Sequence, residues 1–496
     1  MRDKAHAQAA IVVLACVLLW TLVPVLLLSA PHGDNVEQLN WSHSLEWGYF
    51  KHPPLPTWLL CACIELVGRS AALTYALAMS CVGAALWILW RCARLLLDRE
   101  TALVALLLSS ANYYLMGRGS FLNHNTVMLP FVALSAWAVL RIVQGASWRC
   151  WLLLGLAQAL GLLTKYQMCL VILANGLALL SAGVHRRPGF ARHAALASAA
   201  TLLPLIPHAL WLGSHQFSTF QYAGHSLMAQ LGAGPRAAAG ARFLGQQVGR
   251  LAPAALACAL ALGLEALRRR RKDPGAVDQP AAPPRSDARQ ARAMALLALT
   301  PLATIMLLCL CLGVAPQNHW GASSTLLIPL MLCHALRRAA PWPLGATAVA
   351  TATVHLGAVI WNVFVWAYNP GPHHAFAARP LAALAQAYWT AHHSSPLKVL
   401  LGAGWEAGSI SLYLPGQPAV VPGADRAQAP WVDPQQARGC GALVIGRMGT
   451  DLAQQVPAIE PGNLIDREVL SLRDSRGRES SIQVASVAST TPSACN

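Results

Sequence analysis

The sequence predicts an α-helical polytopic membrane protein of about 11 transmembrane helices that ends in a soluble α/β domain. Three observations carry this. Of 496 residues, 55% are hydrophobic and only 11% are charged, against about 25% charged in soluble domains. Apolar runs close to the ~20 residues that a bilayer crossing needs recur through residues 1–370. Beyond residue 370 the apolar runs become short and alternate with loops, the pattern of a small α/β domain. The boundaries are therefore 1–370 for the membrane half and 371–496 for the tail.

The first run, residues 11–28, follows the basic segment MRDKAHAQAA. It is longer than the 7–15-residue core of a signal peptide, so it reads as an uncleaved first helix. Residues 55–68 read as a helix lying along the interface. Further runs fall at about 72–90, 101–116, 126–143, 149–163, 167–184, 193–212, 248–267, 293–313, 321–336 and 343–367. The two around Lys165 lie close together. With the N-terminus inside, the inner segments hold 20 Lys and Arg and the outer segments before residue 370 hold seven. That asymmetry sets the orientation and puts the tail outside. It also accounts for the net charge of +16 without invoking nucleic acid. Residues 185–193 read as a basic turn and 268–292, rich in Pro, Ala and charge, as a flexible inner linker. Residues 213–247 form a second outer loop with short amphipathic helices. In the tail, 375–393 and 405–414 read as helices, and LKVLLGA, AVVPG, GALVIG and REVLSL as short apolar runs between loops. No internal repeat is evident.

Eight of the 13 cysteines (Cys16, Cys61, Cys63, Cys81, Cys92, Cys258, Cys309, Cys311) lie in apolar runs and read as small core residues. Cys61 and Cys63 are too close for a zinc spacing. Cys440 and Cys495 are placed to pair if the tail faces an oxidising compartment.

The chemistry concentrates in residues 34–55, DNVEQLNWSHSLEWGYFKHPPL. Before the tail, every outer carboxylate (Asp34, Glu37, Glu46, Glu65) lies in this first loop. Acid–base chemistry on that face of the membrane half must draw on it. Two readings of Asp34 and Glu37 carry equal weight. One makes them site carboxylates. The other makes Asp34 a helix N-cap and Glu37 its reciprocal partner in a capping box. Asn123, His124 and Asn125 either bind a substrate or cap the next span. Trp41, Trp47 and Trp58 either stack on a sugar or prenyl chain or need no role beyond the interfacial aromatic belt, and Trp58 reads the second way. His52-Pro53-Pro54 reads as a turn fixed at the edge of the site. His373-His374 and His392-His393 lack companions at metal spacing, and no metal site is indicated.

These residues resemble the first outer loop of membrane glycosyltransferases of the protein-mannosyltransferase and aminoarabinose-transferase type, in the glycosyltransferase C superfamily. Asp34 stands where that family has its catalytic Asp. The spacing to His52 matches, with Trp41-Ser42 and Gly48-Tyr49-Phe50 between. LLTKYQ (162–167), NHNTVMLPF (123–131) and QNHWGASSTLLIPL (317–330) extend the resemblance over residues 10–370. Three positions depart from it: Asn35 replaces a Glu, Lys51 an Asp, and Asn125 an Asp. A divalent metal, which such enzymes are open to, is not supported by these residues.

The resemblance implies a bacterial inner-membrane enzyme with a periplasmic tail. It would move a sugar, with inversion, from a polyprenyl-phosphate carrier to a lipid, polysaccharide or protein of the envelope, lipopolysaccharide included. Asp34 and Glu37 are the implied catalytic pair, and Asp34 would instead orient the sugar if the acceptor were a phosphate. Lys51, Arg118, Lys165 and Arg242 are the available cations for the lipid phosphate, each also readable as an interfacial anchor. His52 and His319 are donor candidates. Tyr49, Trp41, Asn125 and Trp320 complete the implied substrate contacts. No Gly-rich phosphate loop supports a nucleotide-sugar donor. A transporter or flippase would favour broken helices and paired repeats, which are not found. A catalytically degenerate scaffold remains the other alternative, kept open by Asn35 and Asn125.

Overall fold

The computed structural model describes the chain except for residues 1, 228–231, 272–287, 338–341, 424–427, 434–438, 457–463, 474–476, 478 and 490–496. Most of the linker expected at 268–292, and Cys495, lie outside the described residues.

Each of the eleven apolar runs falls on helix over all or most of its length. Among the described residues, seven helices are long and apolar enough to cross a bilayer unaided: Lys4–Leu27, Ala71–Leu96, His124–Val143, Phe190–Ser214, Gly234–Arg269, Ala288–Leu312 and Leu344–Tyr368. Four runs form shorter helices, Arg99–Ser110, Trp148–Thr164, Met168–Ser181 and Ala322–Leu336. At 1.5 Å per residue, a 12–17-residue helix reaches only about 18–26 Å. The cause is local. Polar residues end these runs early: Asn112 and Arg118 follow the first, Lys165 separates the second from the third, and Gln317 to Trp320 precede the fourth. Where the helices stop short, a recess forms between their taller neighbours.

Packing in the membrane half centres on buried Trp20, Met79, Leu86, Leu89 and Trp90. Lipid tails supply little hydrophobic drive between helices, so close approach and buried polar links hold such bundles. Trp20 Nε1 donates to His355 Nδ1 at 3.0 Å, and Ser110 Oγ lies 3.3 Å from the other ring nitrogen. One link thus joins three helices. The predicted 55–68 segment is a helix, Leu55–Val67.

The tail folds as a five-stranded sheet in the order β2-β1-β3-β5-β4. β1 (Val399–Gly402), β2 (Ala419–Pro422) and β3 (Ala442–Gly446) are parallel, while β4 (Leu464–Arg473) and β5 (Glu479–Val487) run antiparallel. The four short runs named from the sequence are β1 to β4, and β5 was not foreseen. Leu381, Ala385 and Trp389 of the Ala378–His392 helix pack on Leu400, Leu443 and Ile482 of the sheet. Cys440 is disulfide-bonded.

The tail sits directly on the first loop. Its helix Gly404–Ser411 packs on the first-loop helix Gly33–Trp41. Gly408 allows the approach, since a Cβ there would lie 2.4 Å from Val36 Cγ1. Asn40 Nδ2 donates to Gly404 O at 3.2 Å, and Trp405 Nε1 to Pro31 O at 2.7 Å.

Candidate active site

A cavity of about 800 Å³ opens where the short helices end. Asp34, Glu37, Trp41, Lys51, His52, Asn125, Lys165, His319 and Trp320 all line it. Segments more than 280 residues apart in sequence are therefore brought to one chamber.

Asp34 lies in the first turn of the Gly33–Trp41 helix, whose N-cap is His32, with no side-chain cap bond. The capping-box reading is thereby corrected. Asp34 does not cap, and Glu37 turns to Lys51 instead, at 2.5 Å. Asp34 is held from across the cavity: Asn123 Nδ2 donates to its Oδ2 at 2.7 Å. Asn123 is itself the N-cap of the His124–Val143 helix, its Oδ1 accepting from the backbone N–H groups of Asn125 and Thr126 at 3.0 Å each. Because the amide oxygen is committed to the cap, the amide nitrogen faces the carboxylate. Asp34 Oδ1 has no partner among the described residues.

The positions that depart from the family pattern are explained locally. Asn35 is fully buried and points away from the chamber. Its Nδ2 donates to Thr74 Oγ1 at 2.8 Å and Ser120 O at 3.2 Å, and its Oδ1 accepts from Leu122 N. It is a structural tie. Asn125 faces the cavity, where its Oδ1 accepts from Lys165 Nζ at 2.6 Å. Lys51 pairs with Glu37.

Tyr49 is a correction of another kind. It does not line the cavity. Its ring is buried behind Trp41, stacked at 5.0 Å and 2°, and its hydroxyl donates to Ser44 O at 2.7 Å. It backs Trp41 rather than meeting a substrate. The His52 turn is closed by reciprocal bonds between the backbones of Tyr49 and His52 at 3.0 and 3.2 Å, and Pro54 then starts the next helix. The His52 ring lies 4.0 Å from that of His124. Arg242 does not reach the chamber, whereas Arg118 does. Trp58 donates to Glu46 O at 2.7 Å and packs edge-on to Trp47.

The electrostatics follow from a partly dry chamber. Burial pulls the Lys165 ammonium down to about 7, although Asp34 draws it back up. His52 is held well below its usual value by burial and then by His124 and Lys165. His319 is pushed to about 3 by burial, with Lys165, Arg250 and Arg118 adding to it. Both imidazoles are therefore neutral near pH 7 and act as hydrogen-bond groups, not charges. Burial raises Glu37 against the pull of Lys51. Lys51 is lowered by burial but raised further by Glu37, so its net shift is upward. Among the described residues no three His, Cys, Asp or Glu side chains converge as for a metal ion.

Sequence reasoning passed over Tyr114, Tyr166, Thr219 and Tyr222, which also line the chamber, and the wall supplied by the tail. Tyr166 OH lies 2.8 Å from His208 Nε2 and 2.9 Å from Thr219 Oγ1, and His208 Nδ1 lies 2.6 Å from Trp47 O. This network locks the segment after Lys165 to both outer loops. Tyr166 adjoins the flagged Lys165, which was the one available signal.

Residues 51–211 match the family model described as dolichyl-phosphate-mannose-protein mannosyltransferase. The lipopolysaccharide core galacturonosyltransferase RgtA of Rhizobium johnstonii is 27% identical over 227 residues, 44% of either chain. The lipid A galacturonosyltransferase RgtD of the same organism is 26% identical over 199 residues, 38% of this chain and 40% of that one. The chain thus spans less than half the length of the curated relatives it matches. Two crystal structures of ArnT from Cupriavidus metallidurans, one bound to undecaprenyl phosphate and one apo, share its fold. Their TM-scores are 0.66 and 0.62, each at 14% identity, covering 97% of this chain and 98% of the other. The resemblance found in the first loop is borne out, as is the fold class: a polytopic helical membrane protein with a small sheet domain at its C-terminal end.

Proposed function

We propose that this chain is an inner-membrane glycosyltransferase. It moves a sugar from a polyprenyl-phosphate carrier to an envelope acceptor at the periplasmic face, with Asp34 as its base. The observation that carries this reading is a carboxylate oriented by Asn123 and set in one chamber with Lys51, Lys165 and neutral His52 and His319. ArnT, the fold neighbour, was crystallised with undecaprenyl phosphate, and RgtA and RgtD are named for lipopolysaccharide core and lipid A. Both support a polyprenyl donor and an envelope acceptor. The disulfide at Cys440 supports a tail in an oxidising compartment, hence a periplasmic domain over residues 371–496 above a membrane domain at 1–370.

The residues suit inverting displacement. Asp34 Oδ1 takes the proton of an acceptor hydroxyl as that oxygen attacks the anomeric carbon. The bond from that carbon to the carrier phosphate breaks, and the electron pair leaves with the phosphate. Lys165 and Lys51 balance the charge that develops there in a poorly solvated site. Glu37, paired with Lys51, fixes that cation's position.

The test uses purified full-length protein in lipid, offered either a polyprenyl-phosphate sugar or a nucleotide sugar without polyprenol. Transfer from the lipid-linked donor alone is expected. Equal transfer from the nucleotide sugar overturns the donor assignment.

A further inference from the structure

The chamber is not built by the membrane half alone. Trp405 and Pro422 of the tail line it with Asp34. Trp405 is fixed on three sides. Its indole N–H donates to Pro31 O, His373 meets its ring edge-on at 5.0 Å, and Phe376 packs at 5.0 Å. It remains half-buried and presents a rigid aromatic plate, the surface on which the apolar face of a sugar ring packs.

Arg118 lines the same chamber. Its guanidinium lies 3.9 Å from the centre of the Phe121 ring, and the His32 ring is stacked at 3.7 Å and 14° on that same phenyl. Two groups that close must take opposite faces. The guanidinium is thus fixed in place but exposed, and it has no hydrogen bond or ion pair among the described residues. Lys51 and Lys165 differ, being engaged by Glu37 and Asn125. Five N–H donors on a preorganised planar fork suit a carboxylate or phosphate. His32 meets His373 at 4.9 Å, so an unbroken run of rings joins Arg118 in the membrane half to Trp405 in the tail. The base is adjacent by chain: His32 is two residues before Asp34, and Phe121 two before Asn123, which holds Asp34.

We infer that the tail domain completes an acceptor subsite, in which Trp405 stacks a sugar ring of an acidic glycolipid and Arg118 pairs with its anionic group beside Asp34. This rests on the glycosyl-transfer reading and gives the tail its part in that reaction.

The test measures binding separately from turnover. Full-length protein in lipid nanodiscs is titrated with phosphorylated lipid A, with the same lipid dephosphorylated, and with a polyprenyl phosphate. Wild type should prefer the phosphorylated lipid by about tenfold, the value of one charge-assisted contact. Arg118→Ala should erase that preference, and Arg118→Lys should restore part of it. Trp405→Ala should weaken both forms of the lipid by about tenfold, with Trp405→Phe recovering most of the loss. Polyprenyl phosphate binding should stay within about twofold in every variant, which also reports an intact fold. If Arg118→Ala and Trp405→Ala bind lipid A as wild type does, or lose the polyprenyl phosphate instead, the subsite is wrong. If lipid binding behaves as expected yet no sugar moves from any lipid-linked donor, the subsite stands and the glycosyl-transfer reading falls.

Discussion

Replacing Asp34 by Asn separates chemistry from architecture. The carboxylate accepts one hydrogen bond, from Asn123 Nδ2 at 2.7 Å, and lies in the first turn of its helix without capping it. The carboxamide oxygen of the variant can accept the same bond. Exchanging a charge-assisted bond for a neutral one costs about 1 kcal/mol. Losing a negative charge at the helix N-terminus adds about 0.3–1 kcal/mol. A stability loss of about 1–2 kcal/mol shifts melting by only a few degrees in a chain this large. Loss of a general base instead lowers turnover by about 10²–10⁴, or about 3–5 kcal/mol on the barrier. The assay follows sugar transfer from a lipid-linked donor by wild type and variant in matched lipid, with melting curves alongside. Asp34→Asn should melt nearly normally and be almost inactive. Asp34→Ala should be equally inactive but less stable, since the Asn123 amide then lacks its partner. If Asp34→Asn keeps wild-type turnover, Asp34 is not the base.

The other predictions concern the cations and the topology. Lys165, at about 7, is charged below that pH and neutral above it, whereas a phosphodiester donor stays anionic. The apparent donor KM should therefore rise on the order of tenfold from pH 6 to 8.5, and Lys165→Arg should flatten the rise; a flat wild-type profile would reduce Lys165 to an anchor. Glu37→Gln should cost turnover less than about tenfold, because Glu37 acts through Lys51 rather than on the acceptor proton. A loss equal to that of Asp34→Asn would mean that the carboxylates act as a pair. Phosphatase fused after residue 372 should be active and fusions within 268–292 inactive, and the reverse pattern would invert the proposed orientation.

Most of the helical half was legible because each bilayer-length apolar run leaves a signal that needs no partner to interpret. The short helices were harder. The run 167–184 is as long as a span, and only the fold shows that its helix is shorter, Met168–Ser181, beside the polar opening at Lys165. β5 escaped notice because ESSIQVASV scatters Ser480, Ser481, Gln483 and Ser486 among its few apolar residues with no clean alternation, and its burial against β3 and β4 is set by distant pairing. In the site, Asp34, Lys51 and Lys165 could be named because charge near a membrane is costly without a reason, and His52 and His319 because they stand in segments that resemble the family. Tyr49 was misplaced because a ring behind Trp41 and a ring beside it look alike in sequence. The Asp34–Glu37 spacing fits a capping box equally well, and only the cross-cavity bonds to Asn123 and Lys51 decide. Trp405 gave no sign, since its place in the chamber depends on how the tail docks.

Asn123 has a consequence beyond orientation. It caps the N-terminus of the helix that continues to Val143, and it also grips Asp34. The position of the Asp34 carboxylate along the bundle is therefore tied to the axial position of one long rod. A bilayer thicker or thinner than that rod makes it tilt or slide at modest cost, and the carboxylate must move with it, carrying along Trp405, whose indole is bonded to Pro31 O just before the helix that bears Asp34. Membrane thickness thereby becomes a mechanical input to the pose of the chamber wall that the first loop and the tail share, set against Lys165 and His319 on the other helices.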